Sequence, residues 1–179
     1  MVADLTDPMM SADEACGVFQ VLLEQFRCAS LGKVGKVVAF DEAHRYLSHK
    51  GPGSAELSLA IVDTVRMMRH EGMRVLISTQ SPTTMPPELL ELATMTVLHR
   101  FQSAEWITYL RGKVPLPEDS FDKVKALRRG QALVLSTKIG EALRDEGHRD
   151  CATVTVRPRL TKDLGASRLN AAAVSGEKV

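Results

Sequence analysis

Charge of one sign is what this sequence has least of to spare: 23 Lys and Arg stand against 22 Asp and Glu, a formal net charge of +1. No global field therefore demands nucleic acid or a membrane surface. Cysteine is scarce. Cys16, Cys28 and Cys151 are widely spaced and form no metal-type pair, which fits reduced, packing cysteines in an intracellular protein. No apolar run reaches the roughly 18 residues that span a bilayer. The first residues, Met1 to Pro8, carry Asp4 and Asp7 where a secretory signal would carry lysine. His44 and His49 have no third ligand at suitable spacing, so a metal site is not expected there. Arg128-Arg129 and Arg157 with Arg159 are too sparse for a nucleic-acid patch. Cys151 has no base beside it in sequence to make it a nucleophile. No internal repeat is visible. What remains is an ordinary globular balance, 44% hydrophobic and 25% charged over 179 residues, enough for one domain with a sizeable core.

Helical and extended patterns alternate along that domain. Val2 to Thr6 reads as the end of a strand. Ser11 followed by Glu14 is a capping-box pattern, and Ala15, Val18, Phe19, Leu22, Leu23 and Phe26 follow at helical spacing. The apolar run from Val34 to Phe40 reads as a buried parallel strand. Gly51-Pro52-Gly53 is expected to break the chain before a helix over 54–70 with Leu57, Ile61, Val65 and Met68 on one stripe. A strand over 74–78, a short helix over 86–93, a strand over 96–101 and helices over 103–111 and 120–128 come next. Strands over 131–136 and 152–156 close the series, the last at an edge. From Thr161 the tail has little to bury, so residues 161–179 are expected to be disordered. Strands alternating with helices predict an α/β fold, a mostly parallel sheet with flanking helices.

Chemistry concentrates where the first of those strands ends, at Asp41-Glu42-Ala43-His44. In an open α/β sheet, ligands bind beyond the carboxyl ends of the strands. A carboxylate there holds Mg²⁺ in nucleotide-hydrolysing enzymes, and its neighbour orients the attacking water. Adjacent acids also suit the start of a helix for purely dipolar reasons. Ser78-Thr79-Gln80 ends the next strand. One helical crossover between the two strands would bring both ends to one cleft, where the Gln80 amide could bond a phosphate or the water; the same residues also suit a turn. Arg69 is a third candidate, an arginine able to stabilise charge on a transferring phosphoryl group from a neighbouring subunit; Arg100 is a weaker one. Asp-Glu-Ala-His alone would suit a helicase, but Ser78-Thr79-Gln80 stands where such helicases carry Ser-Ala-Thr.

Taken together, Asp4-Leu-Thr-Asp-Pro8, Lys36-Val-Val-Ala-Phe-Asp-Glu-Ala-His-Arg-Tyr-Leu47, Arg69-His-Glu-Gly-Met-Arg-Val-Leu-Ile-Ser-Thr-Gln80, Val97-Leu-His-Arg-Phe101 and Gly130-Gln-Ala-Leu-Val-Leu-Ser136 resemble the C-terminal part of a P-loop ATPase core of the HerA/FtsK superfamily. HerA-like ATPases of fungal genomes look most similar. The resemblance implies a partial RecA-like core over residues 1–160. It also implies ATP and Mg²⁺ in the complete protein. Asp41 matches the Mg²⁺-associated Walker B aspartate and Glu42 the catalytic glutamate. Gln80 matches the polar sensor, with Thr79 beside it at the nucleotide, and Arg69 a finger acting in trans. It implies a hexameric ring. Better-known members move DNA, but the resemblance does not fix what this chain would move.

One element of that family pattern is missing. Gly-x-x-x-x-Gly-Lys-[Ser/Thr], whose backbone amides and lysine cradle phosphates, does not occur in the sequence, and Leu31-Gly-Lys-Val-Gly-Lys36 has the wrong spacing. The expectation is therefore half of an ATPase site, completed by an upstream segment. Two alternatives stand beside it. One is a non-catalytic, shortened partner that packs against an intact ATPase subunit and offers it Arg69; the other is a structural domain with no nucleotide role. A parallel sheet without its phosphate-loop strand should also expose an edge and an apolar face, and so self-associate.

Overall fold

Two separate sheets organise the chain in a computed structural model, which describes residues 2–3, 9–32, 34–47, 51–140, 144–145, 150–158 and 160. Most of the strand expected over 2–6, the Asp4–Pro8 segment, His49, Arg159 and the 161–179 tail lie outside the described residues. The first sheet pairs β1 (Lys36–Phe40) with β2 (Met73–Ile77) in parallel, Lys36 opposite Met73 and Phe40 opposite Ile77. The second is antiparallel, in the order β3 (Thr96–Leu98), β4 (Gln131–Leu135), β5 (Cys151–Thr155).

Helix α1 (Ala12–Cys28) begins at the capping box expected from its sequence. The Ser11 hydroxyl accepts from Glu14 N–H at 3.3 Å, and the Glu14 carboxylate accepts from Ser11 N–H at 2.8 Å. Its buried stripe runs through Cys16 and Leu23 with Phe19 alongside, while Val18 faces solvent. Helix α3 (Pro52–Met67) crosses over between β1 and β2 and packs Leu57, Ile61 and Val62 against α1 and the sheet. Gly51-Pro52-Gly53 does not break the chain ahead of this helix. Gly51 is its N-cap and Pro52 sits in its first turn, where a missing N–H costs nothing.

The α/β expectation of a parallel sheet with flanking helices holds for β1 and β2. The later strands depart from it. Helices α2 (His44–Leu47) and α3 lie between β1 and β2, which pair in parallel across that crossover. Between β3 and β4 lie α5 (Ala104–Arg111) and α6 (Ser120–Ala126), and β4 pairs antiparallel with both β3 and β5. Val34 is not in a strand: the ladder starts with Lys36 N–H on the Gly72 carbonyl, and Val34 is largely exposed. β3 stops at Leu98, short of Phe101.

Each sheet has its own core. One gathers Cys16, Leu23, Phe40, Leu57 and Ile61; the other gathers Leu98, Leu110, Val124, Leu133 and Leu135. Leu90, on the short α4 (Pro87–Glu91), packs against both. The Tyr109 hydroxyl on α5 also ties across to the Met85 carbonyl at 3.2 Å. Cys16 and Cys151 are packing cysteines, one in each region, and burial pushes both thiols up. Cys28 is not: it ends α1 in solvent.

Candidate active site

β1 and β2 end side by side, so the residues just beyond Phe40 and Ile77 meet. Ser78 staples the junction through its backbone: its N–H donates to the Phe40 carbonyl at 2.8 Å, and its carbonyl accepts from Ala43 N–H at 2.9 Å. The chain must then turn within Asp41-Glu42 to reach α2 (His44–Leu47). That turn leaves Glu42 at φ 51, the described residue other than glycine with positive φ. Such backbone costs a non-glycine residue on the order of 1 kcal/mol. It also presents the Glu42 side chain at the edge of the sheet rather than along the helix.

The side chains there form one network. Asp41 Oδ1 accepts from Glu42 N–H at 3.0 Å and from the Ser78 hydroxyl, while its Oδ2 has no partner among the described residues. Gln80 Nε2 donates to both Glu42 oxygens, at 2.8 and 2.9 Å. Gln80 N–H donates to His44 Nδ1 at 3.4 Å, and His44 Nε2 lies 3.5 Å from Glu42 Oε2. The Tyr46 hydroxyl, one turn along, donates to the Asp41 carbonyl at 3.1 Å. Burial, and then the Asp41 charge, push that phenol up, so it remains a neutral donor.

The structure thus brings Asp41, Glu42 and Gln80 together. Thr79 it commits elsewhere: its hydroxyl donates to the Ser81 carbonyl and accepts from Ser81 N–H, both at 3.1 Å, in the turn that leads into a 3-10 turn over Pro82–Thr84. Arg69 lies in the exposed turn after α3, ahead of β2, and makes no ion pair with any described residue. The length of β2, roughly 3.3 Å per residue, separates that turn from Glu42. Arg66, on the preceding helical turn, is already engaged with Asp63 and Glu88. Arg100 is exposed just beyond β3. Of the Leu31–Lys36 stretch, the described residues Leu31, Gly32 and Val34 to Lys36 also lie at the amino edge, where the Lys36 ammonium donates to the Arg27 carbonyl. An open cleft of about 400 Å³ lies there, between residues 29–32 and 34–36 on one side and 70–72 on the other, and none of Asp41, Glu42 or Gln80 lines it.

The sequence reading placed His44 and Ser78 inside its two suggestive stretches without giving either a role at the site, and it passed over Tyr46.

Neither protein-family models nor curated proteins give a match. Solved structures do. The DNA-packaging ATPase B204 of Sulfolobus turreted icosahedral virus superposes with a TM-score of 0.55 at 18% identity, over 67% of this chain and 56% of that one. The genome packaging NTPase B204 of Sulfolobus turreted icosahedral virus 2 with bound sulfate gives 0.55 at 18% identity, over 81% and 64%. The same protein with ATP-gammaS gives 0.53 at 19% identity, over 67% and 56%.

The fold is that of a P-loop NTPase core.

The chain spans between 56% and 64% of the length of these neighbours, so the likeness concerns part of such a core. It rests on the arrangement of strands and helices, because identity is below one residue in five. Among the described residues no helix is long and apolar enough to cross a membrane.

Proposed function

We propose that this chain carries the water-activating half of an ATP-hydrolysing site, as the C-terminal part of a HerA-like P-loop ATPase domain. One observation carries it: the paired ends of β1 and β2 hold adjacent carboxylates, Asp41 and Glu42, with the Gln80 amide on both Glu42 oxygens. Fold neighbours that are genome-packaging NTPases, one of them in complex with ATP-gammaS, support the substrate class.

The residues fit Mg²⁺ arriving with a nucleotide. No cluster of three metal-binding side chains exists among the described residues, and Mg²⁺ does not need one. It is usually held by one or two carboxylates, with phosphates and water completing the octahedron. Asp41 Oδ2 has no partner among the described residues, while its Oδ1 accepts from Glu42 N–H and the Ser78 hydroxyl. Asp41 would hold the ion, which when bound would offset the negative charge of the phosphates. Glu42 then orients the attacking water and accepts its proton, and Gln80 fixes the direction of that carboxylate. The phosphate cradle comes from another segment or subunit. The translocated substrate, with DNA the leading class, would be fixed by the completed motor.

Arg69 favours a second role beside this one. In its own chain it stands at the opposite edge of the sheet from Glu42, exposed and without an ion pair among the described residues. In this reading it would meet a nucleotide across a subunit boundary, either in a homo-oligomeric ring or as a non-catalytic partner of an intact ATPase.

The test is ATP turnover in the assembly recovered with a tagged copy of this chain. Glu42→Gln should lower kcat by about 10²–10⁴-fold while nucleotide stays bound. Arg69→Ala should also lower kcat. Turnover that survives Glu42→Gln removes the catalytic assignment; if Arg69→Ala alone then lowers it, this chain is the partner subunit.

A further inference from the structure

The geometry points to His44 as a positioning residue that joins the Glu42 carboxylate to the backbone of Gln80. Its catalytic consequence rests on the function proposed above; its structural content does not. His44 opens α2, directly after the turn that strains Glu42, and its half-buried ring touches both sides of the junction. Nδ1 accepts the Gln80 N–H at 3.4 Å. A neutral imidazole has one donor and one acceptor nitrogen, so accepting at Nδ1 puts the proton on Nε2. That is the nitrogen 3.5 Å from Glu42 Oε2.

Glu42 is then held from two directions. The Gln80 side chain donates to both oxygens, and the His44 ring approaches Oε2. Gln80 is gripped at both ends, its amide by Glu42 and its backbone N–H by His44. A displacement of the β2-end loop therefore moves the ring and the carboxylate together. Holding a base in place through a second group is what oriented partners do around reacting side chains, and losing such a partner typically costs about 10-fold or more.

Long-range ¹H–¹⁵N spectra of the histidine rings, recorded at neutral pH on the full chain below its self-association concentration, test the arrangement without nucleotide. The expected result is His44 with a protonated Nε2 and a bare Nδ1, assigned by loss of its signals in His44→Asn. The Gln80 amide resonance should also move in His44→Ala. A proton on Nδ1, or a Gln80 amide indifferent to His44→Ala, overturns the proposal. In the ATP-hydrolysing assembly, His44→Ala should lower kcat about 10-fold with KM unchanged, and His44→Gln, which places an amide near the Nε2 position, should restore part of it. An equal change in KM, or no rescue, overturns the positioning role. An assembly with no ATP turnover at all refutes the proposed function and leaves the spectra to decide on His44.

Discussion

β2 and β4 look alike as sequence and differ as structure. Met73-Arg-Val-Leu-Ile77 and Gln131-Ala-Leu-Val-Leu135 are both five-residue strands rich in aliphatic side chains. β4 is central, paired on both edges, with Ala132, Leu133 and Leu135 at 3% exposure or less. β2 alternates. Val75 and Ile77 pack beneath α1 and α3, whereas Leu76 is 59% exposed, and so is Val37 on the neighbouring strand. Parallel sheets are normally covered on both faces. The sheet that carries Asp41, Glu42 and Gln80 thus leaves Val37 and Leu76 open, whereas the central strand of the other sheet is buried. An apolar run says that a strand is meant to be buried; it does not say whether the burying layer belongs to the same stretch of chain.

Truncation should separate the two strands by the largest margin. Leu133→Ala opens a cavity at a fully buried position and should cost about 2–5 kcal/mol. Leu76→Ala, on the open face, should stay within about 0.5 kcal/mol. Urea unfolding of both variants reads the difference; similar losses would mean that Leu76 is covered. The open face gives a companion outcome in sedimentation velocity. The chain should associate weakly as concentration rises, and Leu76→Lys should abolish that.

A smaller effect lies at the amino edge of the parallel sheet. Arg27 on α1 holds Glu71 with two bonds, at 3.0 and 2.7 Å, just before β2. The Arg27 hydrogen bonds keep the Glu71 carboxyl below its ordinary range, burial opposing them. Its contribution to stability is therefore present above the unfolded glutamate value and is lost as pH falls through the lowered folded one. Glu71→Gln should cost about 1 kcal/mol at neutral pH, and the gap from wild type should close in acid. A gap that stays constant down to pH 3 would mean that the pair does not stabilise the fold.

Much of this was legible because the physics was local. Ser11 and Glu14 announce a helix start by their spacing alone. Val37 to Phe40 announces a strand, and a crossover to a parallel neighbour suffices to set Gln80 beside Glu42. What was not legible depends on partners distant in sequence. The antiparallel sheet depends on which strands pair, Val97 with Val134 and Val134 with Ala152, and the alternation of strands and helices in the sequence does not specify that. Gly51-Pro52 reads equally as a break or as a cap. Cys28 resembles Cys16 in the string and differs only in what lies opposite. His44 could be read as a stray metal ligand, because nothing in the sequence says that Ser78 pins the chain into the turn that aims it at Gln80.

That turn supplies the smallest and cleanest comparison between the two regions, since the positive φ among non-glycine described residues falls at the open sheet, on Glu42. If the backbone there is held against its preference, relieving it should stabilise the protein while removing the proposed base. Glu42→Ala deletes the carboxylate and keeps the strain; Glu42→Gly deletes both. Both lose the same bonds to Gln80 and the same repulsion with Asp41, so the difference between them isolates the backbone. Glycine should come out ahead by about 1 kcal/mol, against its usual disadvantage relative to alanine in an unstrained position. Thermal unfolding of the pair reads that sign directly. Alanine more stable than glycine would show that the turn relaxes in solution, and with it the arrangement that points Glu42 at Gln80 and His44.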